Sequence, residues 1–485
     1  MSYVQSSEGY RKKSKRSRGL KRRGFAIAVL LAVVAVAVFV ARAHSASGPV
    51  ASDVLSSAPL AQFSGQQALK NTSCVAGKLR LPSSERACAT TAFVIPWSNG
   101  DRNKLRDELQ RAFAPAIDGA TGWSFAVIGA DGRTIYGNRA DRAVAPASVQ
   151  KLIVAATALD ALGPQYRYHT LFAGRDAIGS DGVLDGGLWL IGSGDPSLQS
   201  DDLRNGVGVL ARSGLRRIDG RVIVDDKALG GPAINPHWGS DDSGQDYAAP
   251  TSAISVDGDT VESSQDIGGV EQKVWTPMQD VPRYVAYSVN AMLAARRIAA
   301  SLPPALGAAP LESVVLWDHR SAPLGALESH MLFVSDNHYA EQLLRTVGAE
   351  EVQTPDDVGG IAAERQFLDR HGVPAPGLRL FDGSGLSADN RVAAVTFARL
   401  LADQEPSLYM LLPRGGREGT LEDYGFTSAL GRVRAKSGHL SNVSALAGYV
   451  TTQHHGRLSF AFLVDGSPGD ADSAIVAAVD RLAMF

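Results

Sequence analysis

Three short motifs with nucleophilic and basic side chains occur in one order along this chain of 485 residues. They are Ser148-Val149-Gln150-Lys151, Ser335-Asp336-Asn337 and Lys436-Ser437-Gly438. Each motif alone is weak evidence, because such short spacings arise by chance in almost any chain of this length. If the three form one site, the fold must bring the middle and the end of the chain together around it.

The first motif stands at the start of a predicted helix. Ser148 is followed by the apolar, alanine-rich residues 152–159, and this run ends before Gly163, a pattern that indicates a helix with a defined end. Residues three positions apart share a helix face, so the amine of Lys151 can reach the Ser148 hydroxyl. Unpaired N–H groups at the helix start suit a serine that must have an oxyanion stabilised beside it. Without the other motifs, Ser148 would be interpreted as a helix cap.

The other two motifs also have a plausible local setting. Residues 337–345 are a plausible helix, so Ser335 and Asn337 are expected at its start, facing a cleft; alone, this motif would be interpreted as a capping segment. The third motif lies in the alternating residues 432–438, which predict a strand. A glycine inside a strand indicates the close approach of another backbone or of a ligand. Alone, the lysine of this motif would be a surface residue before a turn.

Together, the motifs resemble the three walls of the active site in penicillin-binding proteins and serine β-lactamases, where a serine forms an acyl-enzyme. Further segments narrow this resemblance: residues 247–253 (YAAPTSA), 335–341 (SDNHYAE), 382–387 (DGSGLS) with Asn390, 419–421 (GTL) and 446–449 (LAGY). With them, the chain from about Leu105 to the C-terminus is similar to one branch, the D-alanyl-D-alanine carboxypeptidase/endopeptidase family, or class C type-4 penicillin-binding proteins. Ser437 departs from the threonine that is usual in this family, but the hydroxyl is kept, so we expect activity to survive.

The patterns around the motifs predict an α/β (α+β) fold. Strands are expected near both ends of the chain, and they must join in one antiparallel sheet flanked by helices, so the catalytic domain is discontinuous. The resemblance implies a penicillin-binding/β-lactamase-like domain. The separation of Ser148 from Ser335 is far longer than one helical subdomain needs, which indicates a large insertion. We expect residues 103–165 and 315–485 to form the catalytic domain and residues 166–314 the inserted domain or domains.

The N-terminal region has the composition of a membrane segment. Residues 1–24 contain nine Lys and Arg, and residues 25–41 are an unbroken apolar run. We expect a cytoplasmic tail (1–24), a single-pass signal anchor (25–41) and an extracytoplasmic stalk (42–102), so that the catalytic domain lies outside the cell membrane. A cleaved signal peptide, with secretion, is the alternative. The position of the basic tail just before the apolar run is better explained by a role in membrane topology and by contact with anionic lipids than by nucleic-acid binding. We therefore expect no nucleic-acid partner.

The cysteines and the acidic pairs decide whether a crosslink, a metal or a cofactor is expected. The two cysteines, Cys74 and Cys88, fall on the predicted outer side, where one disulfide is the economical interpretation and two free thiols the alternative. Neither cysteine has a catalytic context. The pairs Asp225-Asp226 and Asp257-Gly258-Asp259 are interpreted as turn or strand-end residues, and no His or Cys cluster has metal-ligand spacing. We therefore expect no metal and no cofactor.

The resemblance implies a mechanism on peptidoglycan stem peptides. Ser148 would attack the carbonyl of the penultimate D-alanine, and unprotonated Lys151 would take its proton. Burial and nearby Lys436 are expected to lower the pKa of Lys151. Ser335 would pass a proton to the leaving amine, and Asn337 would hold the substrate amide or orient Lys151. β-Lactams are expected to trap the acyl-enzyme as covalent inhibitors.

The third motif would bind the substrate. Lys436 would tune the Ser335 hydroxyl, Ser437 would accept the carboxylate side of the substrate, and Gly438 would let the substrate lie along its strand. By family analogy, the backbone N–H groups of Ser148 and His439 would form the oxyanion hole.

Three alternative functions share these motifs. A β-lactamase is disfavoured, because no Glu-x-x-x-Asn sequence follows Asn337 to activate a deacylating water. A non-catalytic wall-binding scaffold would have lost the nucleophile or the base, and both are present. A transpeptidase needs an acceptor site for an amine, which the sequence leaves open.

Overall fold

The computed structural model describes residues 94–266, 270–466 and 471–485. In these ranges the helices are α1 (Asn99–Ile117), α2 (Lys151–Leu162), α3 (Ser200–Arg212), α4 (Val281–Ala295), α5 (Leu324–Val334), α6 (Asn337–Val352), α7 (Asp357–Arg370), α8 (Ala394–Asp403), α9 (Glu405–Leu408) and α10 (Ala471–Ala483). The strands are β1 (Gly122–Ile128), β2 (Thr134–Asn138), β3 (Ala143–Val144), β4 (His169–Gly174), β5 (Val183–Asp185), β6 (Leu188–Ile191), β7 (Arg217–Asp219), β8 (Val222–Asp225), β9 (Thr260–Asp266), β10 (Glu271–Pro277), β11 (Ala299–Ala300), β12 (Ala305–Leu306), β13 (Val314–Arg320), β14 (Val392–Ala393), β15 (Val433–Leu440), β16 (Val443–Thr451) and β17 (Arg457–Asp465).

A five-stranded antiparallel sheet joins the two ends of the chain. Its strand order is β15-β16-β17-β1-β2, and Trp123 of β1 lies opposite Val464 of β17. The predicted antiparallel sheet with strands from both ends is therefore confirmed. The third motif lies on β15, and this strand is at the edge of the sheet.

The two faces of this sheet pack against different helices. Side chains alternate between faces along a strand, so Phe125 and Val127 of β1 pack with α1 and α10. Ala126 and Ile128 point to the opposite face and pack with α2, α6, α7 and α8. Alanines predominate among the strand residues on the second face, for example Ala447 in β16, and small side chains let a helix approach the sheet closely. Helices cover both faces, as the sequence predicted.

The region between the first two motifs has its own hydrophobic core. It contains a five-stranded sheet in the order β12-β8-β6-β4-β13, a three-stranded sheet β11-β7-β5 and the hairpin β9-β10. Helices α3 and α4 pack on the larger sheet through buried residues such as Val207 and Val285. β13 pairs with β4, so this sheet includes residues up to Arg320, beyond the expected limit at residue 314. The division into domains otherwise stays a prediction.

The structure changes one detail of the N-terminal region. Helix α1 begins at Asn99, inside the expected stalk (42–102), because Ser98 caps it: the Ser98 hydroxyl accepts from the Asp101 N–H at 3.0 Å and the Asp101 carboxylate accepts from the Ser98 N–H. No helix in the described part of the chain is long and apolar enough to cross a membrane. The predicted tail (1–24), the predicted anchor (25–41) and both cysteines lie outside the described residues.

Candidate active site

The nucleophile candidate lies in a tight turn that leads directly into α2. Residues Ala147–Gln150 form a 3₁₀ turn and α2 begins at Lys151, so the predicted helix is present but starts after Ser148. Ala147 has φ 48°, a left-handed conformation that is uncommon for a residue with a side chain. Strain of this kind persists only where the surrounding structure enforces it.

Two glycines enforce this turn by letting other backbones approach it. A Cβ atom at Gly385, where φ is +80°, would lie 2.0 Å from the Ala147 carbonyl oxygen. A Cβ atom at Gly438 on β15 would lie 2.8 Å from the Pro146 carbonyl oxygen and 3.0 Å from the Ser148 backbone nitrogen. The sequence predicted a close approach at Gly438, and the structure identifies the neighbouring backbone as the turn that carries Ser148.

The amine of Lys151 is the centre of the site. Lys151 is completely buried, and its Nζ atom lies 3.0 Å from Ser148 Oγ, 2.7 Å from Asn337 Oδ1 and 2.7 Å from the Ser384 carbonyl oxygen. The two oxygens of Asn337 and Ser384 can only accept hydrogen bonds. A neutral amine has two N–H groups and one lone pair. If both N–H groups are donated to these oxygens, the lone pair faces the Ser148 hydroxyl, which is the geometry of a general base.

Burial also favours the neutral form of the Lys151 amine. It lowers the pKa of Lys151 to about 8, although the carboxylates of Glu341, Asp382 and Asp336 act in the opposite direction. The sequence predicts a contribution of Lys436 to this lowering. The effect between the two lysines is seen on Lys436, whose pKa is held well below its usual range by burial and by the charge of Lys151.

The second motif occupies the junction between α5 and α6. Ser335 is half-buried and ends α5 in a left-handed conformation with φ 64°, and Asp336 caps α6 by accepting from the Tyr339 N–H. Asn337 is the first residue of α6. Its Oδ1 accepts from Lys151, and its Nδ2 donates to the Tyr247 carbonyl oxygen at 3.0 Å. Of the two roles expected for Asn337, the contact with Lys151 is present.

The third motif lies beside the nucleophile on β15. Lys436 Nζ donates to the Ser437 carbonyl oxygen at 2.7 Å; among the described residues it makes no hydrogen bond to Ser335, in contrast to the expected tuning of that hydroxyl. Ser437 is buried and its hydroxyl donates to Thr420 Oγ1 at 2.8 Å. The exposed imidazole of His439 pairs with the Asp472 carboxylate at 3.0 Å.

A buried aspartate organises the turn that presents the Ser384 carbonyl. The Asp382 carboxylate accepts hydrogen bonds from the Gly385 N–H (3.0 Å), the Ser387 N–H (2.6 Å), Asn390 Nδ2 (2.7 Å) and Trp238 Nε1 (3.0 Å). This segment, residues 382–387, carries part of the family resemblance. The hydrogen bond from Lys151 to the Ser384 carbonyl oxygen could not be predicted from the sequence, because a backbone acceptor is independent of residue type.

The acidic pairs outside the site have structural contacts. Asp225 accepts from the Ala309 N–H at 2.7 Å, and Asp226 accepts from the Ile254 N–H at 2.8 Å. Asp257 accepts from the Ser200 N–H at 2.9 Å. These contacts agree with their interpretation as turn and strand-end residues.

The comparisons with known proteins agree with this geometry. The model of the D-Ala-D-Ala carboxypeptidase 3 (S13) family matches residues 105–269 and 267–484. The chain belongs to this family. It is therefore a serine-type D-Ala-D-Ala carboxypeptidase, as the sequence predicted.

Individual relatives cover most of this S13 carboxypeptidase. The D-alanyl-D-alanine carboxypeptidase of Actinomadura sp. (strain R39) is 29% identical over 79% of this chain and 85% of its own length. Carboxypeptidase DacB of Mycolicibacterium smegmatis is 28% identical over 94% of this chain and 96% of its own. The crystal structure of penicillin binding protein 4 (dacB) from Haemophilus influenzae covers 77% of this chain and 98% of its own, with a TM-score of 0.70 and 22% identity, a likeness that shows the same fold.

Proposed function

We propose that this S13 carboxypeptidase cleaves the peptide bond next to D-alanine in peptidoglycan stem peptides through an ester of Ser148. The observation that carries the proposal is the geometry of Lys151 Nζ, with Asn337 Oδ1 and the Ser384 carbonyl as acceptors and Ser148 Oγ at 3.0 Å. This arrangement leaves one direction for proton transfer, from the serine hydroxyl to the amine. A non-catalytic scaffold has no need for such an arrangement.

Acylation begins when Ser148 Oγ gives its proton to the lone pair of Lys151 Nζ and attacks the carbonyl carbon of the penultimate D-alanine. The carbonyl oxygen becomes an oxyanion. When the tetrahedral intermediate collapses, the C–N bond breaks, and the Ser335 hydroxyl passes on to the departing nitrogen the proton that Lys151 took, so that Lys151 is neutral again and Ser335 keeps its own proton. The leaving group is free D-alanine in a carboxypeptidase reaction and a crosslinked neighbouring peptide in an endopeptidase reaction. Water then hydrolyses the ester and restores Ser148.

The oxyanion is stabilised by two backbone N–H groups, those of Ser148 and His439. β15 is the edge strand of its sheet, and N–H groups on an edge strand point alternately to the neighbouring strand and away from it. The strand also lies against the nucleophile turn at Gly438. The loss of one oxyanion donor typically raises the barrier by about 3 to 4 kcal/mol. Each of these two N–H groups is expected to contribute about that much.

Substrate binding uses the side chains of the first two residues of the third motif, Lys436 and Ser437. The hydroxyls of Ser437 and Thr420 are hydrogen-bonded to each other at 2.8 Å, and together they offer a polar surface for the carboxylate of the terminal D-alanine. Lys436, buried beside Ser437, adds an amine to the same wall. The family resemblance supports Ser437 as a residue that binds the substrate carboxylate. Thr420, hydrogen-bonded to Ser437, adds a second hydroxyl to the same surface.

We further propose that the catalytic domain lies on the outer side of the membrane. The nine basic residues before the apolar run 25–41 favour a cytoplasmic N-terminus. The substrate occurs only in the wall, so the catalytic domain must face it. A signal anchor at 25–41 and a bridge between Cys74 and Cys88 complete this arrangement.

Fluorescent penicillin and crosslinked muropeptides test the function directly. The ectodomain is expected to bind the penicillin covalently and to release D-alanine or separate crosslinked peptides, and Ser148→Ala is expected to do neither. Ser193→Ala is the matched control, because the Ser193 hydroxyl accepts from the His169 N–H in the inserted region. Labelling of Ser148→Ala would place the nucleophile elsewhere. Rapid turnover of the label by the unmodified enzyme would identify a β-lactamase instead.

A further inference from the structure

A buried glutamate lies one helical turn from Asn337 on α6. Glu341 is 2% exposed, and residues four positions apart share a helix face. Its carboxylate accepts from the Ser384 N–H at 2.8 Å and from the Gly383 N–H at 3.2 and 3.1 Å. The carbonyl oxygen of the same Ser384 accepts from Lys151 Nζ at 2.7 Å. Glu341 and Lys151 therefore hold opposite ends of one short backbone segment.

We propose that Glu341 is a positioning residue for Lys151, holding the Ser384 carbonyl against the amine and providing a negative charge near it. This inference rests on the proposed role of Lys151 as the base. Without the carboxylate, two buried N–H groups would lose their partners, which costs stability and frees the segment to rotate. A displaced Ser384 carbonyl would release one of the two acceptors that direct the lone pair of Lys151 toward Ser148.

The charge of Glu341 has a second, separable effect. Burial raises the pKa of the Glu341 carboxyl to about 8; the nearby charges of Asp382 and Asp357 add to this, and the N–H donors oppose it. Burial lowers the pKa of Lys151 to about 8, and Glu341 is the carboxylate that most strongly opposes that lowering. Where the Glu341 carboxyl is ionised, its charge favours the ammonium form of Lys151, and the two groups, each with a pKa of about 8, titrate over the same pH range. A neutral group at position 341 is therefore expected to lower the pKa of Lys151.

Other charged groups around this pair come from several elements. Asp382 lies on the Ser384 segment and Asp336 precedes α6, and both raise the pKa of Lys151. Lys436 on β15 also lies near this pair, and the charge of Lys151 contributes to the lowered pKa of Lys436. These groups remain in a Glu341 variant, so the change at position 341 is isolated from them.

Glu364 on α7 provides a matched control. It is 1% exposed, and within the described residues neither of its carboxylate oxygens has a hydrogen-bond partner. Burial holds its pKa well above the usual range, and the charges of Glu341 and Asp382 raise it further. Burial therefore favours the neutral acid form of Glu364. Glu364→Gln replaces it with a neutral amide of the same shape and leaves the charge around Lys151 unchanged.

The test is the pH dependence of penicillin acylation in Glu341→Gln, Glu341→Asp, Glu364→Gln and the unmodified enzyme. In Glu341→Gln we expect the midpoint of the acidic limb to move to lower pH by about one unit or more, together with a lower plateau rate. In Glu341→Asp the charge is kept but the shorter side chain reaches the N–H groups poorly, so the plateau falls while the midpoint stays nearer that of the unmodified enzyme. Glu364→Gln is expected to keep the midpoint.

Defined outcomes overturn the inference. An unchanged midpoint in a folded Glu341→Gln enzyme, or an equal shift in Glu364→Gln, contradicts it. If Glu341→Gln fails to fold, an unchanged plateau in Glu341→Asp contradicts it. The Lys151→Ala variant distinguishes failure of this inference from failure of the proposed function. Rapid acylation by Lys151→Ala would show that Lys151 is not the base. Slow acylation by Lys151→Ala, together with an unchanged midpoint in Glu341→Gln, would contradict only the role of Glu341.

Discussion

Gly438 on β15 lies so close to Ser148 that a Cβ atom at position 438 would be 3.0 Å from the Ser148 backbone nitrogen. The edge strand that is expected to bind substrate therefore also supports the turn that carries the nucleophile. The strand and the turn cannot move independently, because the backbone of Gly438 lies directly against the backbone of the turn, with no flexible side chain between them. This contact relates the nucleophile to the proposed oxyanion donor on β15, the N–H of His439.

Gly438→Ala is expected to slow acylation by penicillin by about tenfold to a hundredfold, because the added methyl group displaces the nucleophile turn relative to β15. Stopped-flow measurement of acylation checks this. Gly425→Ala is the matched control, since a Cβ atom at Gly425 would meet nothing within 4 Å. Equal rates for the two variants would show that the contact is unimportant for catalysis.

Lys151→Ala is expected to slow acylation by about a hundredfold to ten-thousandfold, the contribution typical of a general base. The pH dependence follows from the pKa of Lys151, which burial lowers to about 8. Proton transfer needs the neutral amine, so the acylation rate of the unmodified enzyme is expected to rise with pH through about 8 and then level off. A rate that is flat from pH 6 to 9, or near-normal acylation by the variant, would contradict the assignment.

The sequence was sufficient for the parts of the site that depend on local spacing. Ser148 and Lys151 are three residues apart across the 3₁₀ turn that leads into α2, and Asn337 begins a helix with a capping aspartate, so their placement follows from local helical spacing. The Ser384 carbonyl and the buried Glu341 were not predicted as functional, because their contacts depend on how distant segments pack. The Ser98 cap has a recognisable pattern, but the composition of the preceding segment obscured it.

Arg345→Met is expected to destabilise the described fold by about 3 to 5 kcal/mol, because it leaves the Asp357 carboxylate buried without its partner. Arg345 is 1% exposed, and its Nε donates to Asp357 at 2.6 Å. Its other nitrogens donate to the Gly230 and Pro232 carbonyls at 2.8 and 2.7 Å, which connects α6 to the inserted region.

Denaturant unfolding of Arg345→Met measures this loss. Arg414→Met is the control, because Arg414 pairs with Glu418 on the surface, where ion pairs contribute little to stability. A similar unfolding midpoint for both variants would mean that the buried pair is not needed to hold α6 against the inserted region.

The last prediction concerns the N-terminal residues and follows from their sequence. We expect the enzyme to fractionate with the membrane through residues 25–41, with the nine basic residues before them in the cytoplasm. Cys74 and Cys88 then lie in an oxidising compartment, where a bridge that closes their short loop stabilises the chain by roughly 3 kcal/mol. Intact-mass analysis of the membrane fraction, with and without reductant, measures both features. We expect an uncleaved N-terminus and a gain of two hydrogens on reduction. A mature N-terminus at His44 would replace the anchor with a cleaved signal peptide, and a mass unchanged by reductant would show that the two thiols are free.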